Sequence, residues 1–116
     1  MRVLVDTSVW IDHFKRKNSK LAAFLEQNLV VTHSAVLGEL ACGNIKRRRK
    51  ILEYLKFLPA AKEASSEEIL EMIEYRHLYG KGLNWVDVNL IASSALSNIQ
   101  LWTKDKKIID FMSSRH

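Results

Sequence analysis

The sequence predicts an α/β fold in which a short parallel sheet is covered by helices. Three observations carry that prediction. Apolar, β-prone segments at residues 2–5, 29–32 and 99–103 alternate with stretches of helical periodicity, the pattern of a parallel sheet with crossover helices. The chain holds only one Pro and four Gly, so its loops are short. No repeat or low-complexity tract interrupts it.

The elements follow in order. Residues 2–5 are a nearly continuous apolar run, which suits a central parallel strand, and Asp6-Thr7-Ser8 ends it. Residues 9–15 make a short helix. Ser19 is the expected N-cap of a helix over 20–27, with Leu21, Phe24 and Leu25 on one face, and Asn28 closes it. Residues 29–32 form the second strand. Ser34 opens a helix through Leu40 that Gly43 stops. Residues 46–58 are helical and basic at their start, with Ile51, Leu52, Leu55 and Leu58 at helical spacing, and Pro59 breaks the helix. Ser65 and Glu68 have the spacing of a capping box. The helix they start carries Ile69, Met72, Ile73 and Leu78 and ends at Gly80. Asn84 caps a helix to about Leu96, residues 99–103 are a strand, and a last short helix after Asp105 ends near Met112.

At 116 residues the chain is expected to be a single domain, residues 1–116. Its 47% apolar and 27% charged residues are ordinary for a globular protein with a core of its own. No apolar run approaches the roughly 18 residues that span a bilayer. The N-terminal stretch is cut by Asp6 and Asp12 and is not a secretory signal, so a cytoplasmic protein is expected. The lone Cys42 excludes an internal disulfide and is expected to be a buried, inert thiol. The net charge of +5 favours polyanionic partners.

Four carboxylates stand out. Asp6 and Asp105 each follow a strand at its carboxyl end, where open parallel sheets bind ligands. Asp87 lies in the first turn of a helix, and Glu39 sits beside the apolar face of another. Converging carboxylates raise one another's pKa unless a cation is present. Mg²⁺ and Mn²⁺ prefer such oxygen donors, and they supply what phosphodiester hydrolysis needs. Each residue also has a plainer reading. Asp6 starts an Asx turn, Glu39 is solvated, Asp87 answers Asn84 in a capping box, and Asp105 caps the last helix. Spacing leaves both readings open.

Four blocks of sequence then resemble the PIN-domain family, and within it the VapC-type toxins of toxin–antitoxin pairs. They are Val3-Leu4-Val5-Asp6-Thr7-Ser8-Val9-Trp10-Ile11, Ser34-Ala35-Val36-Leu37-Gly38-Glu39-Leu40, Val86-Asp87-Val88-Asn89-Leu90-Ile91-Ala92-Ser93-Ser94-Ala95, and Leu101-Trp102-Thr103-Lys104-Asp105-Lys106-Lys107. The first block is the most specific, and their order adds weight. The resemblance implies a three-layer, Rossmann-like fold with a sheet of about four strands. It implies an Mg²⁺- or Mn²⁺-dependent endoribonuclease acting on structured RNA such as tRNA or rRNA. It assigns catalytic and metal-binding roles to Asp6, Glu39, Asp87 and Asp105, with Thr7 and Thr103 as supporting polar groups. A cognate antitoxin and a homodimer are the implied partners, with no membrane. Two features depart from the family pattern. Such proteins commonly add one more strand after the last helix, and a Pro is frequent where His33-Ser34 stands.

Other features weigh less. Arg47, Arg48 and Arg49, in the run from Lys46 to Lys50, either grip RNA or form a solvated helix start. Lys104, Lys106 and Lys107 flank Asp105 and are better placed for a phosphate. His13, His33, His77 and His116 share no spacing, so a histidine-based RNase mechanism or zinc site is not expected. Trp10, Trp85 and Trp102 are expected to anchor the core or an interface, with base stacking as the other option. Asp12 and Asp110 are expected on the surface. An aspartyl-phosphate phosphatase would want a second Asp where Ser8 stands. The remaining alternative is a non-catalytic RNA-binding or assembly module on the same scaffold.

Overall fold

The computed structural model describes residues 1–113. Its elements run β1 (Val3–Val5), α1 (Thr7–Lys15), α2 (Ser19–Glu26), β2 (Val30–Val31), α3 (Ser34–Cys42), α4 (Arg48–Lys56), α5 (Ser66–Tyr75), α6 (Trp85–Ser97), β3 (Gln100–Trp102) and α7 (Lys106–Ser113). The strands form a parallel sheet in the order β2-β1-β3. Leu4 stands opposite Val31 on one side and Leu101 on the other. The expected sheet of about four strands is thus three strands among the described residues. A single parallel bridge from Thr32 to Ala60 adds a rudimentary fourth line outside β2. Pro59 there offers its carbonyl to Thr32 N–H at 2.8 Å and needs no N–H of its own at the sheet edge.

β1 is central because it is apolar throughout: Val3, Leu4 and Val5 are all buried. A strand covered on both faces has no use for alternation. One core joins the sheet to Val9, Trp10, Leu21, Val36, Leu40, Leu55 and Leu90. A second lies under α5, α6 and α7 and is built from Ile69, Leu78, Val88, Ile91, Ile108 and Phe111. Leu101 packs against both cores and so couples them.

Helix boundaries differ from the expected ones where capping chemistry decides. Asp6 caps α1, so the helix starts at Thr7 rather than at residue 9. Asn18, not Ser19, accepts from Leu21 N–H and caps α2. α4 begins at Arg48 because Arg47 takes a left-handed conformation (φ 54°) with no side-chain cap. α5 ends at Tyr75, before Gly80, and His77 turns the chain with φ 56°. The Ser65/Glu68 and Asn84/Asp87 capping boxes both form. Cys42 is exposed at the end of α3. The expectation of a buried thiol is therefore wrong: Leu40 in the same turn is buried in the core, whereas Cys42 falls on the exposed side of the helix end.

Candidate active site

The crossover from β1 to α1 turns at Asp6, whose backbone N–H donates to Trp102 carbonyl at 2.8 Å. That bond ties the carboxyl ends of β1 and β3 together. Asp6 is buried, and each of its carboxylate oxygens has a partner. Oδ1 accepts from Thr7 N–H at 2.7 Å. Oδ2 accepts from Ser8 Oγ at 2.9 Å and from Thr103 Oγ1 at 2.7 Å. Thr103 Oγ1 in turn accepts from Asp105 N–H at 3.0 Å. One hydroxyl therefore connects two acids from opposite ends of the chain.

Asp87 accepts from Asn84 N–H through Oδ2 at 2.9 Å, and Asn84 Oδ1 accepts from Asp87 N–H at 2.8 Å. Asp105 Oδ1 accepts from Lys107 N–H at 2.9 Å and faces the Lys107 ammonium at 3.4 Å. Asp6, Asp87 and Asp105 thus each satisfy the N-terminus of a helix. The capping and functional readings of these residues do not compete. Helix N-termini favour anions, and they hold in place three carboxylates that repel one another. The repulsion is visible at Asp87: burial pushes its carboxyl above the ordinary aspartate value, and the charges of Asp105 and Asp6 push further. The bond from Asn84 and the Lys107 charge work in the other direction.

Glu39 is different. It is exposed on α3 and reaches the group through Thr7, whose Oγ1 donates to Glu39 Oε1 at 2.5 Å. Thr7 and Thr103 therefore each donate to one of the acids. Ser8 was missed by the sequence reading. Its hydroxyl donates to Asp6 and accepts from Lys104 N–H at 3.0 Å, and its place two residues after Asp6 is the signal that marks it.

Of the three lysines around Asp105, only Lys107 meets an acid of the group. Lys104 pairs with Asp12 at 3.1 Å, and Lys106 with Asp110 at 3.9 Å. Gly82 (φ 78°) lets its loop close over Lys107: a Cβ there would lie 2.9 Å from Lys107 Cδ. Arg47 lies elsewhere, lining a groove with Phe14 and Lys15 at the far end of α1. Arg48 donates to Ala41 carbonyl at 2.7 Å, and Arg49 is exposed. Trp10 is buried in the core, whereas Trp85 is exposed, so the core reading fails for Trp85. It occupies the first position of α6, whose apolar face is already filled by Val88, Leu90 and Ile91. His116 lies outside the described residues.

Among the described residues, no three His, Cys, Asp or Glu side chains are drawn together as a ready cage for an ion. The donor set of Asp6, Asp87 and Asp105, all hard oxygens under mutual repulsion, fits a cation that keeps several of its waters, as Mg²⁺ does. Among the described residues, no helix is long and apolar enough to cross a membrane.

Comparison with known proteins agrees with this architecture. Residues 3–111 match the PIN domain family. Ribonuclease VapC32 of Mycobacterium tuberculosis is 39% identical over 107 residues, covering 91% of this chain and 86% of the relative. The same figures hold for its strains CDC 1551 / Oshkosh and ATCC 25618 / H37Rv.

Proposed function

Because the chain belongs to the PIN-domain family, in its VapC-type ribonuclease group, we propose that it is a divalent-metal-dependent endoribonuclease and the toxin of a toxin–antitoxin pair. The observation that carries this reading is that Asp6 and Asp105, joined through Thr103 at the carboxyl ends of β1 and β3, lie near enough to Asp87 for their charges to add to burial in raising its carboxyl. Similarity to a ribonuclease along most of the chain supports it.

In this reading Asp6, Asp87 and Asp105 hold Mg²⁺ or Mn²⁺, and Glu39 joins them from α3. The bound ion supplies Lewis acidity at the phosphoryl oxygens and lowers the pKa of water. The chain's own residues do the rest. Thr103 and Ser8 fix the Asp6 carboxylate through Oδ2. Asn84 holds one oxygen of Asp87 and leaves the other free to bind. Thr7 orients Glu39. Lys107 places a positive charge beside Asp105 where a substrate phosphate would arrive. The net charge of +5 favours that arrival. Structured RNA, tRNA or rRNA, is the proposed substrate, and the cytoplasm the place of action. The proposed partners are a cognate antitoxin and a second copy of the chain. The exposed side chains Leu70, Tyr75 and Tyr79, on α5 and just after it, support self-association.

The test is cleavage of total cellular RNA by the purified protein with Mn²⁺ or Mg²⁺, then with EDTA, beside Asp6→Asn. Discrete fragments that vanish with chelator and with the variant are expected. A folded, antitoxin-free protein that binds RNA but cuts it with neither ion would point instead to a binding module.

A further inference from the structure

α3 and α6 carry Glu39 and Asp87 and pack together through the core, and one buried hydrogen bond adds a directional link between them. His33 and Ser93 are both buried, and His33 Nε2 lies 2.9 Å from Ser93 Oγ. Among the described residues this is the one side-chain hydrogen bond between α3, with its cap, and α6. We propose that His33 is a positioning residue: it bridges the cap of α3 to Ser93 of α6 and so sets where Glu39 and Asp87 stand relative to each other. The inference rests on the reading of these acids as a metal site.

The geometry determines the tautomer. Ala35 N–H donates to His33 Nδ1 at 3.0 Å, so Nδ1 carries no proton. Nε2 then bears the hydrogen and donates to Ser93. Both ring nitrogens are used, and turning the ring over would break both bonds. Burial favours the neutral imidazole this arrangement needs, although the Glu63 carboxylate pulls the other way.

The neighbouring serine provides a contrast. Ser94 is also buried, but its hydroxyl donates to Ile91 carbonyl within α6. Ser93 instead meets a partner on another element. A buried polar pair costs more than an apolar pair of the same size, and its distinguishing property is direction. Each acid lies six residues from the bridge, Glu39 after His33 and Asp87 before Ser93. Along a helix that is about 9 Å, close enough for a shift at the bridge to reach the carboxylates. Thr7, the first residue of α1, then links Glu39 back to the helix that Asp6 caps.

The test is a two-site cycle on the full chain. His33→Asn keeps an oxygen to cap α3 but is too short to reach Ser93. Ser93→Ala keeps the packing and removes the acceptor. The double variant completes the cycle, and each protein is measured below its own unfolding midpoint. Mn²⁺ alone is titrated in, with free ion read from its paramagnetic resonance signal, and RNA cleavage is followed in parallel. Each single variant should weaken Mn²⁺ binding by about threefold to tenfold, and the double no further than the worse single. Nitrogen-15 spectra of the native protein should show His33 protonated at Nε2 only. Native Mn²⁺ affinity in Ser93→Ala, strictly additive losses, or a proton on Nδ1 would overturn the proposal. A native protein that binds Mn²⁺ and obeys the cycle but leaves RNA intact upholds the bridge and removes the ribonuclease reading. A native protein that binds no Mn²⁺ overturns both.

Discussion

At the carboxyl ends of β1 and β3, Asp6, Asp87 and Asp105 arrive from distant parts of the chain, and each carboxylate is held by hydrogen bonds. From Lys46 to Lys50, five cations arrive together in sequence, and none forms an ion pair among the described residues. Among the described residues, only Arg48 of the run has a side-chain hydrogen bond, to Ala41 carbonyl. The acids carry unfavourable electrostatics that the fold maintains with specific partners. The cations relieve their repulsion by staying in water, where charges are screened. The difference teaches that density of charge along a sequence is a poor guide to a built site. The better guide is charge that the fold gathers against its own repulsion.

The largest effect that sharpens this comparison is expected from Asp6→Asn. It should lower RNA cleavage on the order of a thousandfold, with the circular dichroism spectrum unchanged. Near-native activity would break the comparison at its acidic side. Thr103→Val comes next, because it removes the one hydroxyl that joins Asp6 to Asp105. Metal affinity or turnover should fall roughly tenfold or more, read by Mn²⁺ titration and initial rates.

pH separates the two regions in another way. The Asp87 pKa is raised above the ordinary aspartate value, by burial first and by its acidic neighbours after that. A raised acid binds its proton more tightly in the folded state than in the unfolded one. Its contribution to metal-free stability is therefore present at low pH and lost as pH rises through the raised value. Mn²⁺ needs the deprotonated form, so its affinity should move oppositely, falling about tenfold per pH unit below that value. Thermal melts across acid pH, with and without Mn²⁺, check both signs. Parallel trends would remove Asp87 from the metal site.

The smallest effect belongs to the basic run. Replacing Lys46, Arg47 and Arg49 together by Gln should leave turnover unchanged and weaken RNA binding only about threefold to tenfold, with a shallower salt dependence. A loss of turnover as large as that of Asp6→Asn would mean that the run is part of the site.

Much of the fold was legible because local chemistry and tertiary packing agree. The apolar run of β1 reads as a doubly covered strand, and it is one. The Ser65/Glu68 and Asn84/Asp87 spacings read as caps, and both boxes close. Legibility failed where two local choices lie close in energy. Asn18 and Ser19 are both good caps, and it is Asn18 that accepts from Leu21 N–H. Cys42 and Trp85 look buried by composition, yet both sit at helix ends beyond the core. At the candidate site, the four acids and two threonines were legible as residues. Ser8 was not: its place two residues after Asp6 is a weak signal, and only the fold sets Asp6 Oδ2 and Lys104 N–H on either side of its hydroxyl.

The sequence by itself determined the order of elements and the class of fold, and it singled out four candidate acids, because periodicity, caps and block order are read along the chain. Tertiary structure alone decided that Thr103 bridges Asp6 and Asp105, that Lys107 rather than Lys104 or Lys106 faces the group, and that His33 reaches Ser93. Those contacts join segments remote in sequence. Their existence depends on the register of β1 against β3 and on the angles between helices, and no local propensity encodes either.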